Sequence, residues 1–76
     1  MNIMNTPTGL KVLQELKLLK DKEEYCINWF EEQGGIVVFT NNTYELYYVT
    51  WHNDELHETY TADQLEILIE EAYSWT

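Results

Sequence analysis

Apolar residues recur at helical spacing at both ends of the chain, and the region between them is dominated by period-two alternation. Near the start, Leu10, Leu13, Leu16 and Lys17, with Val12, Leu16 and Leu19 beside them, predict a helix that Thr8 caps. Lys17, Lys20 and Lys22 fall in its last turn, where cations complement the helix dipole. Residues 1–7 carry no such pattern and read as a flexible N-terminal arm ahead of a single domain over 8–76. Residues 23–33 fit two patterns. Cys26, Trp29, Phe30 and Gln33 form a helical stripe that Gly34-Gly35 would end, which favours a second helix. The same Tyr, Cys, Ile, Trp and Phe also suit a strand.

Beyond that stretch the alternation is plainer. Ile36 to Thr40 is a short β-branched and aromatic run, and Asn41-Asn42 is a turn that tolerates positive φ. Tyr44 to His52 predicts a strand, Asn53-Asp54 a tight turn, and Glu55 to Tyr60 another strand. Thr61 then caps a final helix, Gln64 completes a capping box, and Leu65, Leu68, Ile69, Ala72 and Tyr73 form its apolar face. The expected fold is α+β, ordered α-α-β-β-β-α, with a three-stranded antiparallel sheet packed on helices. Its alternative is α-β-β-β-β-α. In the long strand one face carries Tyr44, Leu46 and Tyr48, and the other Tyr47, Val49 and Trp51. A sheet with all its helices on one side buries only one set and leaves the other as an aromatic band.

Charge changes the picture more than composition does. Four lysines, Lys11, Lys17, Lys20 and Lys22, face fourteen acids, and there is no arginine, giving a net charge of −10. After Lys22 the chain carries the other twelve acids and no Lys or Arg. Such a surface repels itself and steers association toward cationic partners. It disfavours direct binding of nucleic acid, whose phosphates need Lys and Arg, and of anionic membranes. No run approaches the ~18 apolar residues of a membrane span, and the first residues lack the basic and apolar regions of a secretory signal. A cytoplasmic location is therefore expected. Asn41-Asn42-Thr43 is formally a glycosylation sequon, here read as a turn.

Catalytic chemistry is hard to assemble from these residues. Cys26 is the only cysteine, so no internal disulfide forms, and its place on an apolar stripe suggests a packed thiol. His52 and His57, with Asp54, Glu55 and Glu58 nearby, match no zinc spacing. There is no EF-hand loop and no Gly-rich phosphate loop. The expectation is a non-enzymatic protein without metal or cofactor.

What remains is a surface. In the last helix Asp63, Glu66 and Glu70 share a face, stepping along the axis by about 4.5 and 6 Å at ~1.5 Å per residue. No lysine at i+4 relieves the Glu66–Glu70 repulsion. A solvated helix face is the plain reading of one such stripe. The unpaired Glu23, Glu24, Glu31, Glu32, Asp54, Glu55 and Glu58 favour a functional one.

In length, acidity, aromatic content and α/β plan the chain resembles the small phage-encoded inhibitors of host nucleic-acid-binding proteins: anti-CRISPR proteins, restriction inhibitors and uracil-DNA glycosylase inhibitors, several of them DNA mimics. The resemblance implies that the chain occupies the cationic groove of a CRISPR effector or another defence nuclease in the host cytoplasm. Asp54, Glu55, Glu58, Asp63, Glu66, Glu70 and Glu71 would replace phosphates, and Tyr47 and Trp51 would contact the partner apolarly. The alternative expectation is a homodimeric protein–protein adaptor whose acidity serves solubility.

Overall fold

The computed structural model describes residues 2–75. Helix α1 spans Pro7–Lys17, and the strands are β1 (Glu24–Phe30), β2 (Gln33–Thr40), β3 (Thr43–Val49) and β4 (Asp54–Tyr60). A 3-10 turn at Ala62–Gln64 leads into α2, Leu65–Tyr73. The strands form one antiparallel sheet in the order β1-β2-β3-β4. The sheet therefore has four strands rather than three, and the α-β-β-β-β-α alternative describes the order.

Residues 23–33 are where the expected second helix gives way. Tyr25 and Ile27 point into the core and pair with Val37 and Gly35, while Glu24 and Cys26 point out. Of the supposed helical stripe, Cys26 is exposed, and Trp29 and Phe30 are 45% and 62% exposed. The packed thiol expected at Cys26 is thus an exposed one. Glu31 and Glu32 both take positive φ, 50° and 65°, and close a two-residue hairpin between Phe30 and Gln33. Asn41 and Asn42 do the same, at 54° and 63°, between Thr40 and Thr43. Positive φ at both central positions is the type I′ geometry whose twist matches that of the flanking strands.

Asn28 is the second irregularity. With φ 53° it opens a bulge in which Asn28 and Trp29 together oppose Gly34. Its side-chain amide donates to the Ala72 carbonyl at 2.9 Å, so the bulge ties β1 to the last turn of α2. A second bulge leaves His57 as the extra residue of β4, between Leu56, opposite Tyr47, and Glu58, opposite Leu46.

The helices end and begin where their caps allow. Thr6, not Thr8, caps α1: its hydroxyl accepts from the Gly9 N–H at 3.2 Å, and Pro7 takes the first helical position. Part of the stretch expected as an arm is built into the fold, since Ile3–Asn5 is a 3-10 turn and Met4 belongs to the core. A Cβ at Gly9 would collide with the Ile3 carbonyl, so glycine permits that close approach. The α1 helix ends at Lys17, and Lys20 and Lys22 lie in the loop beyond it. Ahead of α2 the Thr61–Gln64 capping box forms as the sequence predicts, with the Gln64 side chain accepting from the Thr61 N–H at 3.0 Å.

Val12 and Leu16 of α1, Ile27, Val37, Tyr44 and Leu46 of the sheet, and Leu65, Leu68, Ile69 and Ala72 of α2 make one core. The molecule measures 32 × 30 × 16 Å, and its thinnest dimension is one sheet plus one helix layer. Among the described residues, no helix is long and apolar enough to cross a membrane.

Candidate functional site

Because both helices pack on one face of the sheet, strand alternation decides which side chains are left on the other. In β3, Tyr44 and Leu46 go inward and are buried, while Glu45, Tyr47 and Val49 go outward. Ile36 and Val38 of β2, Cys26 of β1 and Leu56 of β4 continue the outward set. A shallow depression of about 270 Å³ runs over Ile36, Val38, Tyr47 and Val49, with Glu24, Glu45 and Asp54 at its margins. Tyr47 donates its hydroxyl proton to Glu45 Oε1 at 3.0 Å. That hydrogen bond, followed by burial and the negative charge of Glu45, raises the Tyr47 pKa above its ordinary value.

A second zone lies along β4 and α2, on the helix side. His57 Nε2 sits 3.1 Å from Glu71 Oε1 and joins the two elements. Burial, then the charge of Glu71, then that of Glu58, push the Tyr60 hydroxyl above the usual tyrosine pKa, so both carboxylates bear on that ring. Glu55 is the cross-strand partner of Tyr48 on the same side. Asp63 lies in the 3-10 turn and Glu66 in the first turn of α2, where the helix dipole favours an anion. Glu70 and Glu71, at the other end, oppose the dipole. The Asn2 side chain reaches Glu70 at 3.5 Å.

The expected partner-binding residues are therefore divided. Tyr47 and Asp54 lie on the open sheet face, whereas Glu55, Glu58, Asp63, Glu66, Glu70 and Glu71 belong to β4, the 3-10 turn and α2. On this β4–α2 ridge Glu71 meets β4 through His57, and Glu70 turns toward Asn2. Trp51 belongs to neither. It sits in the β3–β4 loop, 73% exposed, with its indole N–H 3.4 Å from the Glu31 carbonyl. The expected Asn53-Asp54 turn is instead a four-residue loop over 50–53, closed by the Val49–Asp54 pair and by Thr50 N–H donating to the Asn53 carbonyl at 2.9 Å. His52 is exposed in that loop, and His57 turns toward α2.

Electrostatically the two zones share one property. All four lysines belong to α1 and the loop after it, and among the described residues none lies within ion-pair distance of a carboxylate. Among the same residues, no three His, Cys, Asp or Glu side chains gather as metal ligands would. Sequence reasoning counted Glu24 among the unpaired acids but passed over Glu45. The signal for Glu45 was present: a charged residue in alternation with Tyr47 and Val49 marks their face of β3 as the solvent face. The chain matches no protein-family model, no curated protein and no solved structure.

Proposed function

We propose that this chain is a non-catalytic binding protein that engages a basic, nucleic-acid-handling protein through its β4–α2 carboxylates. It inhibits that partner, a CRISPR effector or other defence nuclease, by occupying the groove that would hold DNA or RNA. One observation carries the reading: beyond Lys22 the chain offers twelve acids and no Lys or Arg, and among the described residues no lysine lies within ion-pair distance of a carboxylate. A groove lined with Lys and Arg holds condensed or bound anions when empty. Carboxylates set along an edge strand and a helix displace those counterions as phosphates do, and their release drives binding. His57, with Nε2 3.1 Å from Glu71 Oε1, joins β4 to α2 inside the ridge.

The test is a complex between the intact chain and Lys/Arg-rich nucleic-acid-binding proteins, measured with and without competing DNA or RNA. Binding should compete with the nucleic acid and weaken steeply with salt, by about 10³-fold between 50 and 200 mM if about six charge contacts form. Asp63→Lys, Glu66→Lys and Glu70→Lys together should abolish it while the circular dichroism melt stays cooperative. Binding that survives both that triple reversal and about 1 M salt, where charges are screened beyond about 3 Å, overturns the proposal. A second reading, a homodimeric adaptor, is favoured by the open apolar strip around Tyr47. Its difficulty is the carboxylate rim, Glu24, Glu45 and Asp54.

A further inference from the structure

Two exposed aromatic side chains and a half-buried one gather at one end of the sheet, on the side of the helices. There Phe30, Tyr48 and Trp75 line a groove of about 460 Å³ with Asn28, Gln33 and Gly34 at its base. Its walls are fixed by packing. Trp75 lies so close to Gly35 that a Cβ there would stand 3.3 Å from the indole, so the ring rests where the strand has no side chain. Tyr48 and Trp75 have ring centroids 4.9 Å apart at 44°, and His57 meets Trp75 edge-on at 5.3 Å and 79°. Asn28 holds the bulge below the groove and the end of α2 above it through its bond to Ala72. The rings are nonetheless accessible: Phe30 is 62% exposed and Tyr48 37%.

An aromatic groove on an ordinary surface would suit any apolar side chain. This one has carboxylates beside it: Glu55 is paired across the ladder from Tyr48, and Glu71 contacts the histidine that meets Trp75 edge-on. An aliphatic group gains contact area there and nothing from the carboxylates. A guanidinium gains the aromatic rings, whose quadrupoles attract cations, together with the charge of Glu55 beside Tyr48. An ammonium has the same charge but is more strongly hydrated and stacks less well on a ring. We infer that the Phe30–Tyr48–Trp75 groove is a receptor for an arginine side chain of the partner. The inference rests on the function proposed above and adds to it a defined anchor beside the β4–α2 ridge.

The probe is N-acetyl-arginine amide, titrated into the intact chain and read by the indole N–H resonances of Trp29, Trp51 and Trp75. The lysine, citrulline and norleucine analogues serve as comparisons. The arginine probe should shift Trp75 saturably, leave Trp51 unmoved, and bind about threefold to tenfold more tightly than citrulline, its neutral counterpart. Phe30→Ala, at a position 62% exposed, should remove the Trp75 response, and Trp75→Leu, which lacks that reporter, should show no heat of arginine binding by calorimetry while its circular dichroism melt stays cooperative. Equal binding of citrulline or norleucine, or a Trp75 resonance that stays still, overturns the inference.

Its fate separates from that of the proposed function. If the arginine probe binds but no basic protein competes with nucleic acid for the chain, the groove stands and the inhibitor reading falls. If a basic partner binds Phe30→Ala and Trp75→Leu as well as it binds the original chain, the groove falls and the inhibitor reading stands.

Discussion

The Glu31-Glu32 turn should be a place where the protein gives up stability, and replacing it by Asn-Gly should recover some. Both residues hold positive φ, 50° and 65°, in a two-residue hairpin loop. For an L-residue with a full side chain the left-handed region costs about 1–2 kcal/mol, and asparagine and glycine are the residues that visit it routinely. Glu31→Asn recovers about 1 kcal/mol. Glu32→Gly recovers a similar amount, but glycine also enlarges the entropy of the unfolded chain, which returns roughly 0.5–1 kcal/mol. The net gain is about 1 kcal/mol, which in a domain of this size raises the melting temperature by about 4–8 °C. The Glu31 carbonyl that receives the Trp51 N–H is backbone, so the substitution leaves that contact possible.

Charge complicates the measurement, because the double variant also removes two negative charges from a protein at −10. Glu31→Gln with Glu32→Gln removes the same two charges while keeping two full side chains at positive φ. Thermal and urea melts of the three proteins therefore isolate the turn. The Asn-Gly variant should exceed the Gln-Gln variant by about 1 kcal/mol, with an unchanged urea m-value. If the two variants melt together, any gain came from relieved repulsion, and the assignment of strain to this turn is wrong.

Asn28 should show two separable contributions. Asn28→Gly keeps the positive φ, loses the bond to Ala72 and adds the unfolded-state entropy of glycine, costing about 1.5–2 kcal/mol, whereas Asn28→Ala loses the bond and forces alanine to positive φ, costing about 2–3 kcal/mol in urea melts. Alkaline stability should follow the tyrosines: burial, then nearby negative charge, raises the pKa of Tyr60, and burial first raises that of Tyr73, above the ordinary 10.0. The folded state then holds those protons more tightly than the unfolded one, so stability is level below pH 10 and falls as the pH rises through the folded pKa values. Tyr60→Phe should flatten part of that fall, and an ultraviolet absorbance titration should show a late-ionising tyrosine that the variant lacks.

The parts legible in the sequence were those in which local chemistry and packing agree. Leu65, Leu68, Ile69 and Ala72 sit at helical spacing behind a working capping box, and all four are buried. Asn41-Asn42 announces its turn because asparagine accepts the backbone that the turn requires. Glu31-Glu32 makes the same turn with residues that do not announce it, so the first hairpin was hidden. The Asn28 bulge compounded this by breaking the alternation after Ile27, leaving Cys26, Trp29, Phe30 and Gln33 at intervals that imitate a helix. Thr50 and Trp51 suit a strand by type, yet the ladder ends at Val49 because Thr50 bonds within its own loop. The acids of the last helix were readable, although Asp63 lies in the 3-10 turn ahead of α2 rather than on an α-helical stripe with Glu66 and Glu70. Their separation from Tyr47 and Asp54 was not, because it depends on the two helices lying on the same side of the sheet.

That one-sided packing also bears on self-association. The open strip of Ile36, Val38, Tyr47 and Val49 is the natural place for a second copy, and burying it twice would be favourable in area alone. A two-fold dimer, however, sets the same patch against itself, so Glu24, Glu45 and Asp54 of one copy would crowd those of the other with no lysine on the face to intervene. The edges resist as well: β4 carries Asp54, Glu55 and Glu58 and is bulged at His57, both devices that discourage strand addition. The expected state at low salt is therefore a monomer, with its apolar strip open to a partner whose own rim is cationic. Sedimentation at rising salt tests the balance. If the strip is held apart by charge, Glu24→Gln, Glu45→Gln and Asp54→Asn together should promote dimers at a salt concentration where the original chain remains monomeric. A chain that is already a tight dimer at low salt would mean that the carboxylate rim does not govern this face, and the adaptor reading would gain what the inhibitor reading lost.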